Sequence, residues 1–274
     1  MSTFTNSYKA PAASFPENVH LDTAEADYDY NFMFEPKTLQ SDRVVLRPFL
    51  PSRDAQHLLS GIQANPELVE YVGCGVWQTL NEVCVWAEQA RRHPGELRYS
   101  VYSAPLDRLD APVEDYVFAG TMSMIESSYD NMMSEIGWIF ILTPFQASLS
   151  ALPPGLALSL TIQRTHVLSN ACGLLMHRIL DSVEQGGLGL RRCQWKANSL
   201  NKKSGAAAER LGFVHEGIIK AWIVVPEGKP SAHVGRPGRL EKCGQRDTWM
   251  AGITWYDWED KTRAHVDQLM ARRK

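Results

Sequence analysis

The five cysteines, Cys74, Cys84, Cys172, Cys193 and Cys243, contain no C-x-x-C pair, and their number is odd. A zinc ribbon and a closed disulfide framework are therefore not signalled, and thiols in a reducing compartment are expected. A basic excess is also missing. The 28 Lys and Arg residues stand against 31 Asp and Glu, for a net charge of −3. Such a balance offers no field to a nucleic acid backbone. No apolar run reaches about 18 residues, and no basic-then-apolar start reads as a secretory leader. Internal repeats are absent. The expectation is a cytoplasmic protein with no nucleic acid partner, no membrane partner and no metal. The composition fits a monomer or a dimer.

What is present is a chain of 274 residues, 44% hydrophobic and 22% charged, enough for a sizeable core without staples. Residues 1–37 read as an arm. From 10 to 36 there is no Lys or Arg, but acids alternate with Phe15, Tyr28, Tyr30, Phe32, Met33 and Phe34. A purely solvating tail carries fewer aromatics, so part of the arm is expected to pack on the body. Alternation predicts strands over 43–47, 99–103, 117–125, 134–142, 191–197, 213–225 and 248–256. Helical spacing predicts helices over 54–62, 80–92, 165–184, 202–211 and 259–272. Thr79 with Glu82 three residues on is a capping box for the second of these. Gly186-Gly187 is read as the stop of the long helix, and Gly212 as the stop of the next. Residues 147–160 are an irregular excursion, and 226–245 are a long loop rich in Gly, Pro and Lys. The order β-α-α-β-β-β-α-β-α-β-β is α+β with a mixed sheet in one domain.

Two segments carry chemistry. The first is TIQRTHVLSNACGLLMHRIL after the strand SEIGWIFIL. A strand, a loop and a helix start present unpaired N–H groups and the positive end of a helix dipole, which suits a pyrophosphate. Arg164 adds a cation at its mouth. The second is WKANSLNKKSGAAAERLGF, where Asn201 or Ser204 also suits helix capping.

This pair of segments resembles the GNAT N-acetyltransferase superfamily in its RimJ/RimL-like branch. The pattern N-x-x-S-x-x-x-x-E-R-L-G-F, from Asn201 and Ser204 to Gly212 and Phe213, carries the likeness. RVVLRPF, EIGW and RDTWMAGITWYDW support it. The resemblance covers residues 39–258. The arm over 1–37 and the excursion at 147–160 lie outside it, so the chain divides into that arm, an acetyltransferase-like domain over 38–258 and a C-terminal helix over 259–274. The resemblance implies a V-splayed mixed sheet flanked by helices, with acetyl-CoA held between SEIGWIFIL and RRCQWKA. The pyrophosphate would rest on Gln163, Arg164, Thr165, His166, Val167 and Leu168, with Asn201 also on the cofactor side. His166 and Leu168 stand where the family has small residues, and His166 either contacts phosphate or faces solvent.

The implied reaction is direct acetyl transfer to a primary amine, with a small-molecule amine favoured as acceptor. The alternatives are a protein N-terminus and a non-catalytic acyl-CoA-binding module. Glu135 at the start of EIGW is the candidate base, with Glu126 and Asp130 behind it. Its other reading is a structural or substrate-orienting carboxylate. The position where many members carry an acidic Tyr is Ala208, so Ser204 is the substitute acid candidate, with capping or packing as its other reading. A backbone N–H near Phe140 or Ile141 is the expected oxyanion donor. The arm and loop 226–245 are expected on the acceptor side.

Overall fold

The structure is a computed structural model and describes residues 5, 7, 14–143, 145 and 166–273. Eight strands form one sheet: β1 Leu39–Gln40, β2 Val44–Pro48, β3 Leu97–Ser103, β4 Val117–Ser128, β5 Met133–Ile141, β6 Arg192–Asn198, β7 Val214–Val225 and β8 Gly244–Thr254. Their spatial order is β1-β2-β3-β4-β5-β6-β8-β7. All neighbouring pairs are antiparallel except β5 with β6, which run parallel. The expected single-domain, mixed α+β sheet is the one found.

The helices start where local chemistry tells them to. Pro51 opens α1, Pro51–Ala64, in the first turn, where its missing N–H costs nothing. The Thr79–Glu82 capping box opens α2, Leu80–Arg91. The described part of α3 is His166–Leu180. Asn201 caps α4, Lys202–Arg210, and Gly212 at φ +97° turns the chain out of it. Thr254 caps a last helical run through α5, Trp255–Asp257, a π turn over Trp258–Thr262, and α6, Arg263–Ala271.

Two apolar clusters follow from the period-2 alternation of the strands. One gathers α1 and α2 around Phe49, Leu58, Ile62, Trp77, Trp86 and Phe140. The larger gathers α3, α6 and the inner side of α4 around Leu46, Tyr99, Ile136, Leu175, Trp195 and Trp258. Asp54 ties α1 to the sheet. Its buried carboxylate accepts from Leu50 N, Ser100 Oγ, Tyr102 OH and both Nε and Nη2 of Arg53.

Some boundaries differ from the sequence reading. The long helix stops at Leu180 rather than 184. Asp181 turns aside to accept from Trp258 Nε1 and Arg263, and Ser182 with Gln185 builds a separate capping box. Val183, within the range predicted for the long helix, is exposed. The last strand begins at Gly244, because 244–246 pair with 223–225, so the preceding loop is shorter. The final helical run begins at Trp255 rather than 259. Its α6 buries Val266 and Leu269 against α3. The excursion over 147–160 lies outside the described residues.

Strand β7 is the end of the sheet, and its ladder to β8 shifts register between His215 and Gly217 and again between Ile219 and Ile223. Gly217 and Ala221 take positive φ at these two breaks. Val214, Ile218, Trp222 and Val224 on this strand are exposed.

The described part of the arm is bound into the body. Tyr28 and Phe34 are buried. Met33 N donates to Pro94 O, Asn31 Nδ2 to Arg91 O, Tyr129 OH to Met33 O and Arg178 Nη2 to Glu35 O. The arm therefore runs along α2 and beneath the β4–β5 turn. Burial of each large apolar side chain contributes about 1.5–3 kcal/mol. Deleting 1–36 is thus expected to lower the thermal midpoint sharply. A truncated protein that melts with the full-length one would show the arm to be passive.

Candidate active site

The ladder between β5 and β6 is short. It joins Met133 to Arg192, Ser134 to Cys193 and Glu135 to Gln194, and ends there. Past that point β5 stays with β4 as far as Ile141, while β6 stays with β8 as far as Asn198. The two parallel strands therefore diverge, with Glu135 at the fork.

Glu135 is buried, 3% exposed. Its Oε2 accepts from Lys196 Nζ at 2.9 Å and from Gln194 Nε2 at 3.1 Å. Both donors stand on β6 two residues apart, so pleating puts them on one face. Lys196 Nζ also meets Glu126 Oε2 at 2.6 Å. Glu126 has φ +48° at an irregularity near the end of β4, between Ile125 and Ser128, and this turns its carboxylate toward β6. The Trp222 ring lies 5.8 Å from the ammonium. Burial raises the Glu135 carboxyl to about 7, against the pull of Lys196 and Gln194 and with the help of nearby Glu126. Lys196 is held above its ordinary value; burial opposes this, and the two carboxylates outweigh it.

Further along β5 a bulge interrupts the ladder to β4. Thr121 pairs with Phe140 and Ser123 with Gly137, leaving two residues of β5 opposite one of β4. Trp138, in the bulge, takes φ +49°. Its indole covers the Arg98 guanidinium, 4.9 Å from ring centroid to Cζ, and Trp86 covers it at 3.9 Å. Arg98 is buried, and burial lowers it to about 10 despite the attraction of Glu96. Phe140 packs in the α1–α2 cluster, and Ile141 lies at the far end of β5 opposite Gly120. The irregular backbone lies nearer the fork, at Trp138.

The other sequence candidates fall as follows. Asn201 Oδ1 accepts from Ser204 N at 3.1 Å, which is the helix cap. Ser204 Oγ accepts from Trp195 Nε1 at 3.0 Å. Ala208 is buried in the core. Asp130 is exposed in the β4–β5 turn. Gln163, Arg164 and Thr165 lie outside the described residues. His166 turns its Nε2 to Ser103 Oγ at 3.0 Å, and burial together with Arg43 lowers its imidazole to about 4. Its ring is half-buried. Val167 is core, and Leu168 packs against it. Lys196, Gln194 and Arg98 were missed. The one signal for the first two was their period-2 spacing on the β6 segment, RRCQWKA.

On the fork's open side, the β7–β8 loop reaches the α1–α2 connection. Lys229 Nζ donates to Val69 O at 2.6 Å, and Asn198 Nδ2 to Pro230 O at 3.1 Å. Between them is an open recess of about 380 Å³ lined by Glu67, Glu70, Glu227 and Lys229. Among the described residues, no group of three His, Cys, Asp or Glu is placed to hold a metal, and no helix is long and apolar enough to cross a membrane.

No family profile matches the sequence, and no curated protein matches it. The likeness is structural. A GCN5-related N-acetyltransferase from Brucella melitensis superposes with a TM-score of 0.63 over 86% of each chain, at 20% identity. The fold is that of the GCN5-related N-acetyltransferases. Within this GNAT fold, RimJ from Mycobacterium smegmatis, solved with CoA-disulfide, covers 85% of this chain and 94% of its own at 16% identity and TM-score 0.57. Spermidine N-acetyltransferase from Vibrio cholerae, solved with CoA and spermine, covers 80% of this chain and 100% of its own at 14% identity and TM-score 0.52. Here the forked pair β5 and β6 positions Glu135.

Proposed function

We propose that the chain is an acetyl-CoA-dependent N-acetyltransferase of the RimJ/RimL-like kind, acting on a primary amine of a small molecule by direct transfer in a ternary complex. The observation that carries this reading is the buried, proton-poised Glu135 at the fork of two diverging parallel strands. The residues fit the cosubstrate. Beyond the fork, Ile136 to Phe140 and Trp195 to Asn198 have no ladder to each other, so a linear amide-bearing arm finds strand edges to pair with. Residues 163–168, with Arg164, would receive the pyrophosphate. Acetyl-CoA, when bound, supplies the activated acetyl group. An alkyl ammonium has a pKa near 10.4, and Glu135 takes its proton so that the neutral amine attacks. Ser204 receives the Trp195 N–H on its oxygen, a bond that leaves its own hydroxyl proton for the departing thiolate.

A small cationic acceptor is supported by the acidic recess of Glu67, Glu70 and Glu227 and by the spermine of the Vibrio cholerae relative. The free cysteines suit a cytoplasmic setting. The test is calorimetric titration with acetyl-CoA, followed by thiol release over polyamines, amino acids and short peptides. Binding weakened by Arg164→Glu, with release on a small amine, is expected. No acetyl-CoA binding would overturn the reading. Binding without release on any amine would leave an acyl-CoA-binding module, and release on peptides alone would move the acceptor to protein N-termini.

A further inference from the structure

The geometry points to a second task at the fork: Lys196 and Glu126 act together as a counter-ion pair that lets Glu135 gain and lose a proton without stranding a buried charge. Lys196 is a positioning residue in this scheme, and Glu126 is its second anchor. The catalytic meaning rests on the acetyltransferase reading, but the electrostatic device does not.

The ammonium stands between two carboxylates, 2.9 Å from Glu135 and 2.6 Å from Glu126. The side chains of Glu135 and Lys196 are 4% and 6% exposed, while that of Glu126 is 53% exposed. The group thus bridges a dry carboxylate and a wet one. With all three ionised it carries one net negative charge. When Glu135 accepts a proton the group becomes neutral, and Lys196 keeps its shorter contact with Glu126. Had Glu135 been the sole partner, its protonation would have left a buried ammonium uncompensated, which is strongly unfavourable. The second carboxylate removes that obstacle, and the Trp222 face adds a further partner for the cation.

The titratable and charged groups that face Glu135 sit on three strands. Lys196 on β6 and Arg246 on β8 favour the Glu135 carboxylate. Glu126 on β4 disfavours it. Cys193, also on β6, is a buried thiol whose own ionisation is suppressed by burial. Gln194 is neutral and donates to both carboxylates. Removing Lys196 and removing Glu126 must therefore move Glu135 in opposite directions, a result that a merely structural pair does not give.

The experiment is a carboxyl carbon-13 NMR titration of the full chain, labelled at glutamate and without acetyl-CoA or amine, with the Glu135 resonance assigned by its loss in Glu135→Gln. Lys196→Met is expected to raise the Glu135 transition by about 1 unit or more, and Glu126→Gln to lower it by a similar amount. Lys196→Arg keeps the charge and is expected to titrate near the parent, which covers the case in which Lys196→Met fails to fold. Shifts of the same sign for Lys196→Met and Glu126→Gln, or no shift in Glu126→Gln while the fold is retained, would overturn the device. Opposite shifts without thiol release on any amine would uphold the device and sink the acetyltransferase reading. Thiol release together with an unmoved Glu135 would do the reverse.

Discussion

Glu135→Gln is expected to lower kcat at neutral pH by about 10²- to 10⁴-fold, or roughly 3–5 kcal/mol of barrier. The substitution keeps volume and hydrogen bonding and removes basicity. Folding is expected to survive, because Lys196 retains Glu126 at 2.6 Å. The pH profile carries the discrimination. Glu135 is lifted by burial to about 7, so if it is the proposed base the parent should lose kcat/KM as pH falls through that value. In Glu135→Gln that inflection should vanish, leaving only the slope from ionisation of the amine itself. The same lift has a stability sign. A carboxyl raised from 4.5 to about 7 on folding binds its proton more tightly in the folded state, so its contribution is complete below about 4.5 and declines as pH rises through 7. Glu135→Gln should flatten that part of the stability profile. Near-parent kcat across the range would make Glu135 structural.

Asp54→Ala is expected to destabilise the protein by about 3–5 kcal/mol, the usual cost of removing one partner from a buried charged network. Five donor atoms converge on this carboxylate from Leu50, Arg53, Ser100 and Tyr102. Truncation leaves them facing a void, with the Ser100 hydroxyl fully buried. Asp54→Asn keeps the volume but presents an amide N–H₂ to donors, and it should recover only part of the loss. Urea unfolding is the measurement: the midpoint should fall with an unchanged slope. A midpoint within experimental error of the parent would show that water can replace the carboxylate.

Asp54 also shows where a sequence reading stops. Taken alone, it is an acid in the first turn of a helix, a placement that needs no further reason. Its hydroxyl partners Ser100 and Tyr102 lie a helix and a strand away along the chain, and no spacing rule joins them. The strands, the Thr79–Glu82 cap and the Gly212 stop were legible because each is written in neighbouring residues. Glu135 was legible as a candidate through its strand position and its resemblance to the RimJ/RimL-like pattern. Its pairing with Lys196 was not, since the contact depends on which face of β6 turns to the fork. His166 was open between phosphate and solvent. Only the fold shows its ring half-buried beside Ser103 and Arg43. The arm was legible as partly packed from its aromatics, but its route along α2 was not.

The two breaks in β7 have a consequence for how molecules meet. A long terminal strand with exposed Val214, Ile218, Trp222 and Val224 would, if flat, template the addition of a neighbour's strand and so seed aggregation. The kinks at Gly217 and Ala221 interrupt the row of donors and acceptors that such growth requires. The second kink carries Trp222 over Lys196. One distortion therefore completes the surroundings of a buried ammonium and makes the rim of the sheet a poor seed for intermolecular β-structure, and straightening it would uncover the ammonium and leave a sticky surface.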